Sequence, residues 1–240
     1  MRYSDFKEGI WGFEQENWFG EIVYFETLSR LRPFGLDTER LTKDEVEGVI
    51  RMFLLQWGQM ARAINRKDTD WNQMLSKLKG ISNVLKELGK ESILNADLES
   101  KKELILEAYG GLHCIKHFGA TSIPKILHLL NPELFVMWDE RIRANENNRL
   151  GFDLVDGEPQ KFTKAPCGYL KYLRACQDEA RMALEEGKRT TSDSLCEVLR
   201  RLLAERPEVE PEKLGSKYSC KTLAKLIDEY NWWRANRWCG

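Results

Sequence analysis

The chain has no closely paired cysteines, only three histidines, almost no net charge and no long uncharged run, and each shortage narrows what it can do. Its six cysteines, at 114, 167, 176, 196, 220 and 239, never form a C-x-x-C pair. That argues against a zinc knuckle or the clustered thiolates of an iron–sulfur loop. Cys114, Cys176 and Cys196 fall in helical stretches beside apolar residues, which suits reduced core thiols and a reducing compartment. A formal net charge of −1 gives no global attraction to polyanions, so nucleic-acid binding would need a local basic face. No uncharged stretch approaches the length of a membrane span, and residues Met1 to Glu8 lack the apolar run of a signal peptide. The expected location is therefore the cytoplasm, with no membrane partner. Strict apolar–polar alternation of the strand type is almost missing as well.

What is present is a chain of 240 residues, 42% hydrophobic and 31% charged, with eight tryptophans. This is enough to bury a large core, as one unit or as two closely packed lobes. Apolar residues recur at three and four positions throughout, which predicts an all-α fold. Helices are expected at 13–31, 42–64, 70–88, 101–118, 122–130, 140–149, 166–186, 193–204 and 219–231. Thr42 with Glu45 and Ser100 with Glu103 read as capping boxes, and Gly89 reads as a helix stop. Gly151, Asp153, Asp156, Gly157 and Pro159 mark a loop. An acidic, proline-bounded connector runs from Arg206 to Lys213.

The segment from Tyr109 to Arg143 carries most of the information. A helix ends near Gly119, and Thr121 or Ser122 caps a new one with Pro124 in its first turn, where a missing N–H costs nothing. That helix ends before Asn131-Pro132. Two helices so tightly joined form a hairpin, whose turn Gly119-Ala120-Thr121-Ser122 could hold a phosphate with help from Lys116 and Lys125. The apolar run Phe135-Val136-Met137-Trp138 follows and leads into Asp139, then Ile142 and Arg143.

This arrangement resembles the helix-hairpin-helix DNA glycosylases, the base-excision superfamily that includes endonuclease III. The resemblance covers about 35 of the 240 residues. It implies a two-lobed helical bundle with a cleft between the lobes, the inner lobe at about 36–135 and the other made of 1–35 with 136–240. It also implies binding of double-stranded DNA, extrusion of a damaged or modified base, and Asp139 as the catalytic carboxylate. The chain departs from the family pattern at three places. His117 stands where the first hairpin glycine would fall, Arg141 replaces a histidine after the aspartate, and Thr121 occupies the position of the lyase members' lysine. Lys125, four residues later, is the alternative Schiff-base nucleophile.

The residues make their own case beside the resemblance. Cleavage of an N-glycosidic bond develops positive charge on the sugar, which a carboxylate at Asp139 would stabilise. Phe118 and Trp138 are candidate walls for an extruded base. Yet Asp is also a preferred helix N-cap, and Asp139 begins a helix. His113, His117 and His128 read as satisfied side chains or phosphate contacts rather than metal ligands, so no metal or cofactor is expected. Arg141, Arg143 and Arg149, with Lys161, Lys164, Lys171 and Arg174, gather basic charge near the proposed site. The aromatic C-terminus, with Trp232, Trp233 and Trp238, is expected to dock on the body. The rival expectation is a non-catalytic helical DNA-binding or interaction protein in which Asp139 only caps a helix. A metal-dependent hydrolase built on the three histidines is a weaker one.

Overall fold

Gly9 and Gly12 explain why the first helix begins well before its apolar face suggests. A Cβ at Gly9 would lie 2.5 Å from Tyr230 Cδ2, and one at Gly12 only 2.3 Å from Trp233 Nε1. Both glycines therefore let a later helix press against the first, and that contact buries Phe6 and Ile10. The result is α1, Tyr3–Leu31, starting ten residues before the expected 13.

The computed structural model describes residues 1–57, 60, 64–66, 69–89, 91–113, 115–144, 166–191 and 221–237. Every regular element among them is helical, as the spacing of apolar residues predicts. None of these helices is long and apolar enough to cross a membrane. Expectations that fall on Arg149, Lys161, Lys164, Trp238, Cys114, Cys196, Cys220 and Cys239 lie outside the described residues. So do the loop at 151–159, the helix at 193–204 and the acidic connector.

After α1, a single 3-10 turn at Thr38–Arg40 leads to α2, Lys43–Glu45. The expected capping box is present: Thr42 N–H donates to Glu45 Oε2 at 2.8 Å, and the Thr42 hydroxyl accepts from Asp44 N–H. The single long helix expected to follow is divided. A π-helical turn at Val46–Ile50 precedes α3, Arg51–Gln56; Trp57 lies in a turn, and Ile64 is helical again. Asp70 caps α4, Trp71–Gly80, by accepting from Gln73 N–H at 2.8 Å. Ile81 leaves helical geometry and separates α4 from α5, Ser82–Leu88, which Gly89 ends at φ +56°. At the next start, Asp97 organises the turn by accepting from the N–H groups of Glu99 and Ser100. The Ser100 hydroxyl donates to Asp97 O. Helix α6 is Lys102–His113, shorter than expected, and α7 is Ser122–Leu130, as expected. Helices α8, Pro166–Thr191, and α9, Leu223–Arg237, both outrun their expected ends.

Buried apolar side chains form one connected cluster from Phe6 to Ala235. Helix α9 lies along α1, and α1 also packs on α7 and α8. Docking of the aromatic C-terminal helix is observed: Trp232 meets Phe13 edge to face at 5.3 Å, and Trp233 packs beside Tyr230. Helix α7 is buried on every side, with each of its nine residues shielded from solvent.

Candidate functional site

The chain leaves α6 through a turn in which His117 adopts φ +70°. It is the one non-glycine residue among those described that enters the left-handed region, at the position where a glycine would be unstrained. Gly119 N–H then donates to Ser122 Oγ at 2.9 Å, and the Ser122 hydroxyl donates to Gly119 O at 3.2 Å. Ser122 thus closes the turn that starts α7. The Trp138 indole N–H donates to Ala120 O at 2.5 Å and ties this turn to the segment before Asp139.

Residues 135–138 are not helical, so their buried carbonyls need partners from elsewhere. Three successive carbonyls receive one each from a side chain. His128 Nδ1–H donates to Phe135 O at 2.5 Å, Tyr169 O–H to Val136 O at 2.7 Å, and Tyr172 O–H to Met137 O at 3.0 Å. His128 must then accept at Nε2, and the Tyr24 hydroxyl donates there at 2.7 Å. Burial holds His128 down to about 3, so it is neutral, as this bonding requires. These bonds deliver Asp139 to a fixed place.

Asp139 is half-buried, and its Oδ1 accepts from Ile142 N–H at 2.8 Å. It therefore caps the helical turn at 140–144. Facing it electrostatically is Lys125 of α7, only 5% exposed, with its Nζ 5.2 Å from the centre of the Trp57 ring. Burial pushes Lys125 below the usual lysine range, and the charges of Asp139 and Asp228 pull it back.

Behind Lys125 lies an assembly of charges that no sequence motif announced. Lys221 and α9's Lys225 meet the α1 carboxylates Glu14 and Glu21 and the α9 carboxylates Asp228 and Glu229, and all six are buried. Lys221 Nζ lies 2.7 Å from Glu14, 2.9 Å from Glu21 and 2.5 Å from Glu229. Lys225 Nζ lies 2.9 Å from Glu21, 3.1 Å from Glu229 and 3.6 Å from Asp228. The same ammonium sits over Phe13, Tyr24 and Trp57, at 4.5, 5.0 and 5.3 Å from their ring centres. Burial disfavours the charged form of Glu21, but Lys225 and Lys221 more than offset it and hold the carboxyl down to about 2. Burial dominates at Asp228, which is pushed up to about 7 against the pull of Lys225.

The structure thus leaves Lys125 within the electrostatic influence of Asp139, and separates other residues expected beside them. Lys116 and Arg141 are exposed, and Arg141 donates to Asn236 Oδ1. Arg143 is half-buried near the Tyr109 hydroxyl. Lys125, expected beside Lys116 as a surface phosphate contact, is instead an interior residue. Phe118 and Trp138, expected as pocket walls, are 4% and 2% exposed and pack into the core, Trp138 against Tyr169 and Tyr172. The three histidines are not a ligand set, and no group of three His, Cys, Asp or Glu among the described residues could hold a metal ion. The charges between α1 and α9 did leave a trace in the sequence. Lys221, Lys225 and Glu229 recur at four-residue spacing, and Glu14 and Glu21 lie seven apart, both helical intervals along an otherwise apolar face. Comparison with family models, curated proteins and solved structures finds no match for this chain.

Proposed function

We propose that the chain is a base-excision protein of the helix-hairpin-helix type, acting on double-stranded DNA that carries a damaged or modified base. The observation that carries this reading is the placement of Asp139. It is a half-exposed carboxylate whose one oxygen is fixed by Ile142 N–H, in electrostatic reach of the buried Lys125. In the proposed reaction the bond between the sugar and the base breaks, and its electron pair leaves with the base. Asp139 stabilises the cation left on the sugar, and water adds to complete hydrolysis. Lys125 is the second group at the reacting centre, and the amine for sugar attack if the protein is also a lyase. Lys116, Arg141, Arg143 and the turn from Gly119 through Ala120 and Thr121 to Ser122 would contact the backbone. The cleft would lie between a lobe at about 36–135 and one made of 1–35 with 136–240. His117 at φ +70° supports the hairpin part of this proposal, because the bend wants the backbone a glycine would give.

A second reading has its own support. The bond from Ile142 N–H to Asp139 is sufficient to explain Asp139 as a cap, and Phe118 and Trp138 already have core partners. On this reading the chain is a non-catalytic helical DNA-binding or interaction protein. Single-turnover base release from a panel of duplexes, each with one damaged base, separates the two. Release by the wild-type protein that Asp139→Asn abolishes is the expected result, and no release from any duplex rejects the enzymatic proposal.

A further inference from the structure

Glu47 and Arg51 are four residues apart, the spacing at which an α-helix pairs them, with the carboxylate on the favourable side. The π-helical turn Val46–Ile50 takes them out of that register, and Arg51 N–H donates to Val46 O, five residues back. Glu47 pairs instead with Lys43 at 3.4 Å. Arg51 reaches toward the start of α4. Its Nη2 donates to Asn65 Oδ1 at 3.1 Å, and its guanidinium carbon lies 5.9 Å from the centre of the Trp71 ring. Among the described residues it pairs with no carboxylate, although a guanidinium is permanently charged. Asp70, the carboxylate next to Trp71, is turned to Gln73 N–H as the cap of α4.

Two donors near this ring are also unused. Arg51 Nε and the hydroxyl of Thr69, two residues before Trp71, are buried and make no hydrogen bond. Buried donors are nearly always bonded, so idle ones beside an uncompensated cation point to an acceptor from outside the chain. Arg143 and Arg234 also bury an Nε without a hydrogen bond. Arg234, however, is paired with Glu179 at 3.5 Å, and no side chain among the described residues holds the Arg143 guanidinium in place. Arg51, Thr69 and Trp71 are each half-buried, so the group lies at the surface. Trp71 meets Phe118 edge to face at 5.4 Å, and Phe118 directly precedes the turn that Gly119 and Ser122 close. We propose that Arg51, with Thr69 beside Trp71, is a binding site for a phosphoryl group, filled in the DNA complex by a phosphate of the strand that the hairpin turn holds. Asn65 and Trp71 fix the guanidinium plane, its remaining N–H groups give charge-assisted bonds, and Thr69 adds a hydroxyl. The strand assignment rests on the excision function proposed above; the phosphoryl chemistry does not.

The test uses the full chain labelled with nitrogen-15 and reads the Arg51 Nε–H signal, assigned by its loss in Arg51→Lys. Inorganic phosphate is the first probe, with chloride at equal ionic strength as the control. Phosphate should shift the Arg51 signal to saturation, and Thr69→Val should weaken that binding about fivefold, the loss of one hydrogen bond. An undamaged duplex is the second probe. Arg51→Met, which keeps an apolar stem over Trp71, should lower the log–log salt slope of duplex binding by about one unit. An unmoved signal together with an unchanged slope overturns the proposal. A shift with phosphate and an unchanged slope overturns the strand assignment, and leaves a site for free phosphate. Where Arg51→Met does not fold, the wild-type signal decides, and its failure to move overturns the proposal. An Arg51 that only packs on Trp71 would alter melting temperature and produce neither response. The phosphate arm needs no duplex and neither arm reads base release, so this site and the excision function fail separately.

Discussion

Around Trp138 the buried polar groups are neutral and hydrogen-bonded, whereas between α1 and α9 they are titratable and carboxyls outnumber lysines. In the first region Tyr169, Tyr172 and His128 each donate to one carbonyl of the 135–137 run, and Trp138 donates to Ala120. In the second, two lysines share four carboxyls. The first arrangement fixes a backbone with no charge to lose. The second stores charge, and its state depends on pH. Asp139 lies where the two meet, positioned by the neutral bonds and facing the charged group through Lys125.

The sharpest way to break this contrast is to remove a charge from the ionic region. Lys225→Met leaves Glu21 and Glu229 with Lys221 alone, and should cost about 3–5 kcal/mol of stability in chemical denaturation. A cost near zero would mean that these ion pairs do not hold α9 to α1.

An effect of opposite sign, and dependent on pH, is expected at Asp228. Its folded value, about 7, lies above the ordinary 3.8, so its contribution to stability is complete below the lower value and is lost as pH rises through the upper one. Asp228→Asn removes that loss. Relative to wild type, the variant should gain about 4 kcal/mol as pH is raised from about 4 to about 8. His128, held down to about 3, has the reverse dependence, its contribution being lost as pH falls from 6.5, but it is common to both proteins and cancels in the difference. A constant difference across this range would contradict the raised value of Asp228.

The smallest effect belongs to the neutral region. Tyr172→Phe deprives Met137 O of a donor and Asn231 Nδ2 of an acceptor, and should cost about 1–2 kcal/mol with no pH dependence. A pH-dependent cost would show that the two regions are not separate.

The contrast also explains what the sequence could reveal. The helical class, the bounds of α7, the Thr42–Glu45 capping box and the stop at Gly89 are local, set by spacing and turn chemistry within a few residues. The breaks at Trp57 and Ile81 were not legible, because apolar spacing continues through both. Nor was the early start of α1, which depends on Tyr230 and Trp233 more than two hundred residues away in the chain. Asp139 was legible as a residue of interest from its place after an apolar run. The partners of Lys125 were not, since Lys–Glu spacing on a helix usually marks a solvated face and only the packing of α9 on α1 buries it. The task of the Tyr169 and Tyr172 hydroxyls was not legible either, because it is set by the carbonyls of 136 and 137, more than thirty residues away in the chain.

The central claim, that Asp139 acts on a sugar cation and does not merely cap a helix, is tested by comparing Asp139→Asn with Asp139→Ala. Each is measured for melting temperature and for single-turnover base release from a duplex that wild type processes. Asn is about as good an N-cap as Asp, so Asp139→Asn should keep its melting temperature, while Asp139→Ala should lose about 1 kcal/mol. Base release should fall by about a hundredfold or more in both, because both lack the charge. Full release by Asp139→Asn would contradict the account and leave Asp139 as a cap.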